Sequence, residues 1–216
     1  MSLTKSYKTI TLKLAEVKLQ GHLLVPKKAQ GIVLFSHGSG SSRYSVRNNY
    51  VAEILQKAGF ATLLFDLLTE EEDKVYENRF NIDLITERLL EVTDWINAYP
   101  ATAGLSVGYF GASTGAAAAL KAAAVKGNNI SAVVSRGGRP DLAMAVLSKV
   151  KAPTLLIVGE LDDTVLGLNI QAFDAMKCPK ALEIIPKATH LFPESGALEK
   201  VATISATWFK KYLCSI

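Results

Sequence analysis

Short, almost entirely apolar runs recur along this chain and alternate with segments of helical periodicity. The runs cover residues 31–35, 61–68, 107–110, 132–135, 154–158 and 182–185. A strand is apolar along its whole length when helices cover both faces of its sheet, as they do in parallel sheets. The pattern therefore predicts a mainly parallel sheet with helices on both sides, which is an α/β fold.

The segments between these runs carry apolar residues at helical spacing. One stripe runs from Val51 to Ala58 and ends at Gly59, and a longer stripe runs from Phe80 to Tyr99 and ends before Pro100. Further helices are predicted over residues 116–125, 141–148, 168–176 and 197–212. Each strand is thus followed by a segment that can cross back over the sheet, as parallel connections require.

The amino-terminal segment has a different pattern. Residues 7–14 and 17–26 alternate between apolar and polar side chains and are separated by a short polar turn. This alternation predicts an antiparallel hairpin with one solvated face. Together with the six apolar runs, it predicts a three-layer α/β/α sandwich around an eight-stranded sheet.

Composition narrows the class of protein. The 216 residues are 49% hydrophobic, and no linker or repeat divides them, so we predict one domain over residues 1–216. The net charge of +4 comes from scattered basic residues, so we expect no nucleic-acid partner. We also expect no membrane span and no signal peptide. Two cysteines without C-x-x-C spacing favour a reducing, cytoplasmic location.

The strongest chemical motif lies at the end of the run at 107–110. Residues 111–115 read Gly-Ala-Ser-Thr-Gly, a G-x-S-x-G pattern followed by an alanine-rich helix. A serine on such a tight strand-to-helix turn is exposed, and its flanking glycines let the strand and the helix approach closely. Ser113 is therefore the candidate nucleophile.

A base and an acid follow later strands. Among the three histidines, His22 belongs to the hairpin, where a strand position on the solvated face is expected, and His37 belongs to a glycine-rich loop. His190 follows the last strand and is the candidate base, since its pKa suits proton transfer near neutrality. Asp162, in the run Gly159-x-x-Asp162, is preferred as the acid over Asp163, for which a solvated or helix-capping carboxylate is the alternative.

The loop after residue 35 offers hydrogen-bond donors. Its sequence is Ser-His-Gly-Ser-Gly over residues 36–40. We expect the backbone N–H groups of Ser39 and Thr114 to form an oxyanion hole. A dinucleotide-binding loop is excluded because position 43, where its third glycine belongs, is arginine. No metal ion or cofactor is needed by these groups, and we predict none.

With these motifs, the chain resembles the α/β-hydrolase fold superfamily and, within it, the dienelactone hydrolase-like group, from about Leu12 to the final helix. The resemblance implies a triad of Ser113, Asp162 and His190 with backbone oxyanion donors. Dienelactone hydrolases carry a cysteine nucleophile, whereas position 113 here is serine. The resemblance therefore implies a serine hydrolase of that group.

Two features bear on the substrate. Caps in this superfamily usually follow the sixth strand, but residues 136–152 can hold only one short helix, so we expect no substantial cap and a small, water-soluble ester, lactone or thioester. Arg136 follows that strand, and Arg43 and Arg47 flank the glycine-rich loop. Arg136 and Arg43 could bind an anionic group of the substrate, or could form salt bridges that hold loops. A ligand-binding pseudo-hydrolase and an acyltransferase are the alternative functions.

Overall fold

The computed structural model describes residues 7–214 and contains an eight-stranded sheet with the strand order β1-β2-β4-β3-β5-β6-β7-β8. The strands are β1 (Lys8–Lys13), β2 (Lys18–Leu24), β3 (Ile32–Ser36), β4 (Ala61–Phe65), β5 (Val107–Ala112), β6 (Ile130–Arg136), β7 (Thr154–Gly159) and β8 (Lys180–Ile185). The first two strands pair antiparallel, β2 joins β4 antiparallel, and the remaining pairs are parallel. The predicted hairpin and mainly parallel sheet are confirmed.

Helices connect these strands. They are α1 (Val46–Lys57), α2 (Glu70–Asp73), α3 (Ile82–Ala98), α4 (Thr114–Lys126), α5 (Asp163–Ala175) and α6 (Ala197–Leu213), with 3-10 helices at Tyr76–Phe80, Gly127–Asn129 and Pro140–Lys149. The helix predicted over residues 141–148 is thus a 3-10 helix. The helix predicted over 168–176 begins already at Asp163, because packing of Val165 and Asn169 outweighs the weak helix propensity of Gly167.

Two hydrophobic layers cover the two faces of the sheet. One lies between the sheet and α3, α4 and α5, and the other lies between the sheet and the pair α1 and α6. Strand β6 shows the alternation: Val133 belongs to the first layer, while Ala132 and Val134 belong to the second. The three-layer α/β/α prediction is confirmed. By the same alternation, Arg136 projects toward the α1 and α6 side of the sheet.

The structure corrects the prediction for His22. This residue lies in β2 as expected, but it is only 5% exposed instead of facing solvent. Its ring stacks on Tyr7 at a centroid distance of 4.0 Å and meets the edge of Tyr44 at 5.2 Å. The loop before α1 therefore covers this end of the hairpin, which strand alternation alone does not predict.

The acidic segment after β4 forms a short helix that remains partly exposed to solvent. Residues 70–73 form α2, and Thr69 and Glu72 close a capping box at its start. Glu72 also pairs with Arg88 of α3 at 2.8 Å. Repulsion among the four carboxylates is offset because the first turn of a helix favours negative charge.

The connection from β6 to β7 contains one 3-10 helix, Pro140–Lys149, so no cap follows the sixth strand. Within residues 7–214, no helix combines the length and apolar character of a membrane span. The predictions of one domain over 1–216 and of no signal peptide partly concern residues 1–6 and 215–216, which lie outside the described residues.

Glycine contacts explain how the central elements approach each other. A Cβ atom on Gly115 would lie 2.2 Å from the carbonyl oxygen of Ser36 and 2.3 Å from that of His37. A Cβ on Gly111 would lie 2.4 Å from Cα of Ala116. Gly167 of α5, in contrast, has no heavy atom within 4 Å of such a position.

We expect Gly115→Ala to lower the free energy of unfolding by about 1–3 kcal/mol or more, since backbone atoms must move to accommodate the methyl group. Gly167→Ala should raise it by about 0.5–1 kcal/mol, because alanine loses less backbone entropy in a helix. Urea unfolding followed by circular dichroism measures both changes. Equal effects of the two substitutions would contradict the role given to the Gly115 contact.

Candidate active site

Ser113 lies on a sharp turn between β5 and α4. Its backbone angles are φ 51° and ψ −123°, a conformation that non-glycine residues rarely adopt. Hydrogen bonds on both sides hold the turn: Ser113 N–H donates to the Arg136 carbonyl at 3.2 Å, and the Ser113 carbonyl accepts from Ala116 N–H at 3.1 Å. Strain retained by its surroundings is typical of functional positions. The side chain is only partly buried, so its hydroxyl can meet a ligand.

The glycine-rich loop after β3 lies against this turn. A Cβ on Gly38 would lie 3.1 Å from Cβ of Ser113, and the Ser39 N–H donates to the Thr114 hydroxyl at 2.9 Å. Thr114 is also the first residue of α4, and N–H groups in the first turn of a helix lack partners within it. The structure thus brings Ser39 and Thr114 together beside Ser113, with the Ser39 N–H engaged by the threonine side chain.

His37 fastens the loop to its neighbours. Its Nδ1 lies 3.0 Å from the Gly38 carbonyl oxygen, and its Nε2 lies 3.2 Å from the Leu67 nitrogen. These contacts fit a neutral ring that donates from Nδ1 and accepts at Nε2. Burial lowers the pKa of His37, and this also favours the neutral form near pH 7. The ring therefore maintains the turn through these two hydrogen bonds.

His190 and Asp162 follow neighbouring strands, β8 and β7. Nδ1 of His190 lies 2.6 Å from Oδ2 of Asp162, a short, charge-assisted hydrogen bond. Asp162 is the more buried partner, with a side chain 14% exposed against 38% for His190. Asp163 is exposed and begins α5. Of the two adjacent aspartates, Asp162 is thus the one that contacts the histidine.

Backbone contacts bring these two turns together. A Cβ on Gly159 would lie 2.3 Å from the Ala188 carbonyl oxygen, and the same oxygen accepts from Leu161 N–H at 2.9 Å. On the other side of His190, the Glu194 carboxylate accepts from Thr189 N–H at 3.1 Å and from its hydroxyl at 2.6 Å. The start of the His190 loop is therefore fixed against the Asp162 turn, and the Thr189–Glu194 hydrogen bonds close the loop on itself.

The serine and the histidine approach each other across the end of β6. Arg136 bonds to Ser113 through its carbonyl, and a Cβ on the next residue, Gly137, would lie 3.5 Å from Nδ1 and Cε1 of His190. Within residues 7–214 no hydrogen bond joins the Ser113 hydroxyl to His190. Such bonds are often long until a substrate is bound, so the arrangement is compatible with proton transfer between them.

The two arginines singled out in the sequence differ sharply. The Arg43 guanidinium pairs with Asp66, and its Nη2 donates to the Tyr44 hydroxyl at 2.7 Å. This is the loop-holding role that the sequence left open. Arg136 is 6% exposed and has no carboxylate partner among residues 7–214, and its pKa is lowered by burial and by the positive charge of Arg47. Its guanidinium carbon is 5.9 Å from the centre of the Phe192 ring.

Three side-chain groups of this site are not predicted by sequence patterns, because loops bring them there. They are the Thr114 hydroxyl, the Glu194 carboxylate and the Phe192 ring. Only the positive φ of Phe192, 55°, marks its turn as unusual, and a sequence does not reveal backbone angles. Within the described residues, no group of three or more His, Cys, Asp or Glu side chains could hold a metal ion.

Comparison with known proteins identifies a matching family. The model of the "Dienelactone hydrolase family" matches residues 19–211. The crystal structure of dienelactone hydrolase from Anabaena variabilis is 55% identical, with a TM-score of 0.93 over 96% of this chain and 98% of that one. Est1E from Butyrivibrio proteoclasticus, at 17% identity and a TM-score of 0.81, covers 94% of this chain and 98% of its own, and shares the fold. The family match and the Anabaena variabilis structure support a hydrolytic function.

A curated relative carries a different name. A protein of Mycobacterium tuberculosis (strain H37Rv), named "Putative phosphoribosyl transferase", is 58% identical over 198 residues. The match covers 92% of this chain but only 45% of the relative. The chain thus spans less than half the length of the curated relative that it matches.

The His190–Asp162 contact has a spectroscopic consequence. A histidine N–H that donates to a carboxylate in a short, charge-assisted hydrogen bond gives a far-downfield proton resonance. We expect Asp162→Asn to abolish this signal and the matched Asp163→Asn to preserve it, because only Asp162 reaches the ring. Proton NMR in water measures both. Loss of the signal in Asp163→Asn alone would reverse the assignment of the acid.

Proposed function

Because the chain belongs to the dienelactone hydrolase family, we propose that it is a serine hydrolase that cleaves a small ester, lactone or thioester through an acyl-enzyme on Ser113. One observation carries the proposal. Ser113 lies on a strained turn at the start of α4, and a histidine–aspartate pair joined at 2.6 Å follows the neighbouring strands β8 and β7. This combination supplies a nucleophile, a base and an acid at one edge of the sheet.

Formation of the acyl-enzyme begins with attack of Ser113 Oγ on the carbonyl carbon. His190 accepts the serine proton at Nε2, because its Nδ1 proton is directed to Asp162. The same carboxylate stabilises the imidazolium that forms. The proton then passes to the leaving oxygen or sulfur as the tetrahedral intermediate collapses, which leaves the acyl group on Ser113. Attack by water, with His190 again as the base, restores the free serine.

The tetrahedral intermediate needs donors for its oxyanion. In the proposal, Thr114 N–H at the start of α4 is one donor, and Ser39 N–H turns from the Thr114 hydroxyl to become the other. The Thr114 hydroxyl thus keeps the Ser39 N–H aligned until substrate arrives. A single oxyanion donor is typically worth about 2.7–4 kcal/mol of transition-state stabilisation.

Space around the site favours a small substrate. The surface beside the glycine-rich loop is lined by polar side chains such as Ser41, Thr69 and Glu70. Since only a 3-10 helix separates β6 from β7, no apolar tunnel for a long acyl chain is built there.

Serine at position 113 also bears on the substrate. A serine hydroxyl depends more on its base than a cysteine thiol does, because the thiol is far more acidic. We therefore propose esters, lactones and thioesters, rather than dienelactone itself, as the substrates. We place the reaction in the cytoplasm, consistent with the free cysteines Cys178 and Cys214, and without nucleic-acid or membrane partners.

Two alternative functions would use the same fold and differ from a hydrolase in whether an acyl-enzyme forms and in what accepts its acyl group. A ligand-binding pseudo-hydrolase would keep the pocket without forming the acyl-enzyme, and an acyltransferase would form it but pass the acyl group to an acceptor other than water. The transferase name of the M. tuberculosis relative describes a protein of which this chain matches only 45%, so we propose no such activity for this chain.

A fluorophosphonate probe tests the nucleophile. We expect covalent labelling of the wild-type chain at Ser113, no labelling of Ser113→Ala, and much slower labelling of His190→Ala, since the serine is activated by its base. Intact-mass spectrometry and peptide mapping measure the adduct and its position. Labelling of a different serine, or none in folded protein, would contradict the proposal and favour the pseudo-hydrolase.

Steady-state hydrolysis of a 4-nitrophenyl ester tests the acid. Asp162→Asn should lower kcat by about 10⁴-fold, because the histidine then loses its favoured tautomer. Asp163→Asn is the matched control and should stay within a few-fold of wild type, since Asp163 is exposed and lies outside the pair. Similar losses in both variants would refute the assignment of Asp162.

A further inference from the structure

Arg136 is a buried cation without a counter-ion. It ends β6 with its side chain directed toward α1 and α6, and it is 6% exposed. Its Nε is fully buried without a partner, and among residues 7–214 no side chain forms a hydrogen bond or ion pair with its guanidinium. Burial of an unpaired charge is unfavourable, so natural proteins pair such groups or use them to bind ligands.

Electrostatics around Arg136 make its burial still less favourable. Desolvation, followed by the positive charge of Arg47, lowers the pKa of Arg136 to about 10. The group is still protonated near pH 7, so the site carries its full charge. The neighbouring charge that acts on it is thus of the same sign.

Arg47 has the same unusual property. It lies in the first turn of α1, its Nε is also buried without a partner, and it forms no ion pair in the described part of the chain. It lines a groove of about 360 Å³ together with Phe192, Glu194 and Glu199. Neither glutamate pairs with an arginine, and Glu194 instead accepts hydrogen bonds from Thr189.

The other arginines of the chain provide a comparison. The sequence has six arginines, and four of them pair with carboxylates: Arg43 with Asp66, Arg79 with Asp73, Arg88 with Glu72 and Arg139 with Asp141. The two that lack a carboxylate, Arg136 and Arg47, both lie near Phe192: one is 5.9 Å from its ring, and the other lines the same groove. This distribution indicates a site for an external anion rather than a shortage of acidic residues.

Arg136 also adjoins the proposed catalytic site. Its carbonyl accepts from Ser113 N–H at 3.2 Å, and its guanidinium carbon is 5.9 Å from the ring of Phe192, two residues after His190. An anion held at this guanidinium therefore lies next to the loop that carries His190.

We propose that Arg136 and Arg47 together bind a phosphoryl group on the substrate, so that the enzyme acts on small phosphorylated esters. Two unpaired guanidinium groups match the charge of a phosphate monoester, which is about −1.5 to −2 at pH 7. Guanidinium forks bind phosphate oxygens in pairs, and a carboxylate would need only one such fork. This inference rests on the proposed function, since the ester is the one attacked by Ser113.

Calorimetric titration of inorganic phosphate, at low ionic strength and with acetate as the comparison, tests the anion site without catalysis. The full chain carrying Ser113→Ala should bind phosphate more tightly than acetate. Adding Arg136→Gln or Arg47→Gln should weaken phosphate binding by about tenfold or more, the loss expected for a charged hydrogen-bond donor. Arg139→Gln is the matched control and should bind as tightly as its parent, because Arg139 pairs with Asp141.

Kinetics with matched esters then tests the link to catalysis. The 4-nitrophenyl esters of butanoic, succinic and 3-phosphonopropanoic acids differ in the group at the far end of the acyl chain. Arg136→Gln and Arg47→Gln should each raise KM for the phosphono ester at least tenfold more than KM for the butanoate, and Arg136→Lys should recover part of the loss. If Arg136→Gln does not fold, the Arg47→Gln variant decides the result, because Arg47 is partly exposed and its substitution is better tolerated.

The outcomes separate the two proposals. Equal effects on the phosphono and butanoate esters, or an equal preference for succinate, would overturn the phosphoryl site while leaving the hydrolase intact. Phosphate binding without any preference for the phosphono ester would show a free-anion site and overturn the substrate assignment. Failure to hydrolyse any ester or to react with a fluorophosphonate would overturn the proposed function. The phosphate titration would still test whether Arg136 and Arg47 bind an anion.

Discussion

The approach of α4 to the end of β3 is the constraint on which the rest of the site depends. Gly115 lies so close to the carbonyl oxygens of Ser36 and His37 that no side chain fits between them. This contact forces a sharp turn before α4 and places Ser113 at φ 51°. It also presses the glycine-rich loop against the first turn of α4, where Ser39 N–H and the Thr114 hydroxyl meet. One backbone contact thereby orders the nucleophile and both proposed oxyanion donors.

A second contact of the same kind orders the acid and the base. Gly159 packs on the Ala188 carbonyl, and so the turns after β7 and β8 are held against each other. The Ser113 turn and the His190 loop adjoin at the end of β6, where the Arg136 carbonyl bonds to Ser113 N–H and a Cβ on Gly137 would lie 3.5 Å from the His190 ring. Precise geometry in this protein therefore comes from backbone packing at glycines, while the reactive side chains lie on turns that these contacts hold rigid.

Much of this arrangement could be predicted from the sequence because it follows from local pattern. Apolar runs mark strands buried on both faces, and the order of Ser113, Asp162 and His190 along the chain places them after different strands. Burial of His22 could not be predicted, since it depends on Tyr44 from a distant loop. The sequence does not predict the early start of α5 for a similar reason: tertiary packing outweighs the weak helix propensity of Gly167.

The ion-pair partners of the arginines are the feature of the site that the sequence predicts least well. Arg43 and Arg136 are equivalent candidates by position, since each lies near a loop at the carboxyl edge of the sheet. In the fold, Arg43 pairs with Asp66 at the end of β4, whereas Arg136 is buried on the α1 and α6 side of the sheet, where the positive charge of Arg47 acts on it. The two arginines differ because alternation along β6 directs the Arg136 side chain to the α1 and α6 side of the sheet, and because Arg47 lies in the first turn of α1. An unpaired buried charge is costly to the folded state, so its retention here is most simply explained by a ligand that neutralises it.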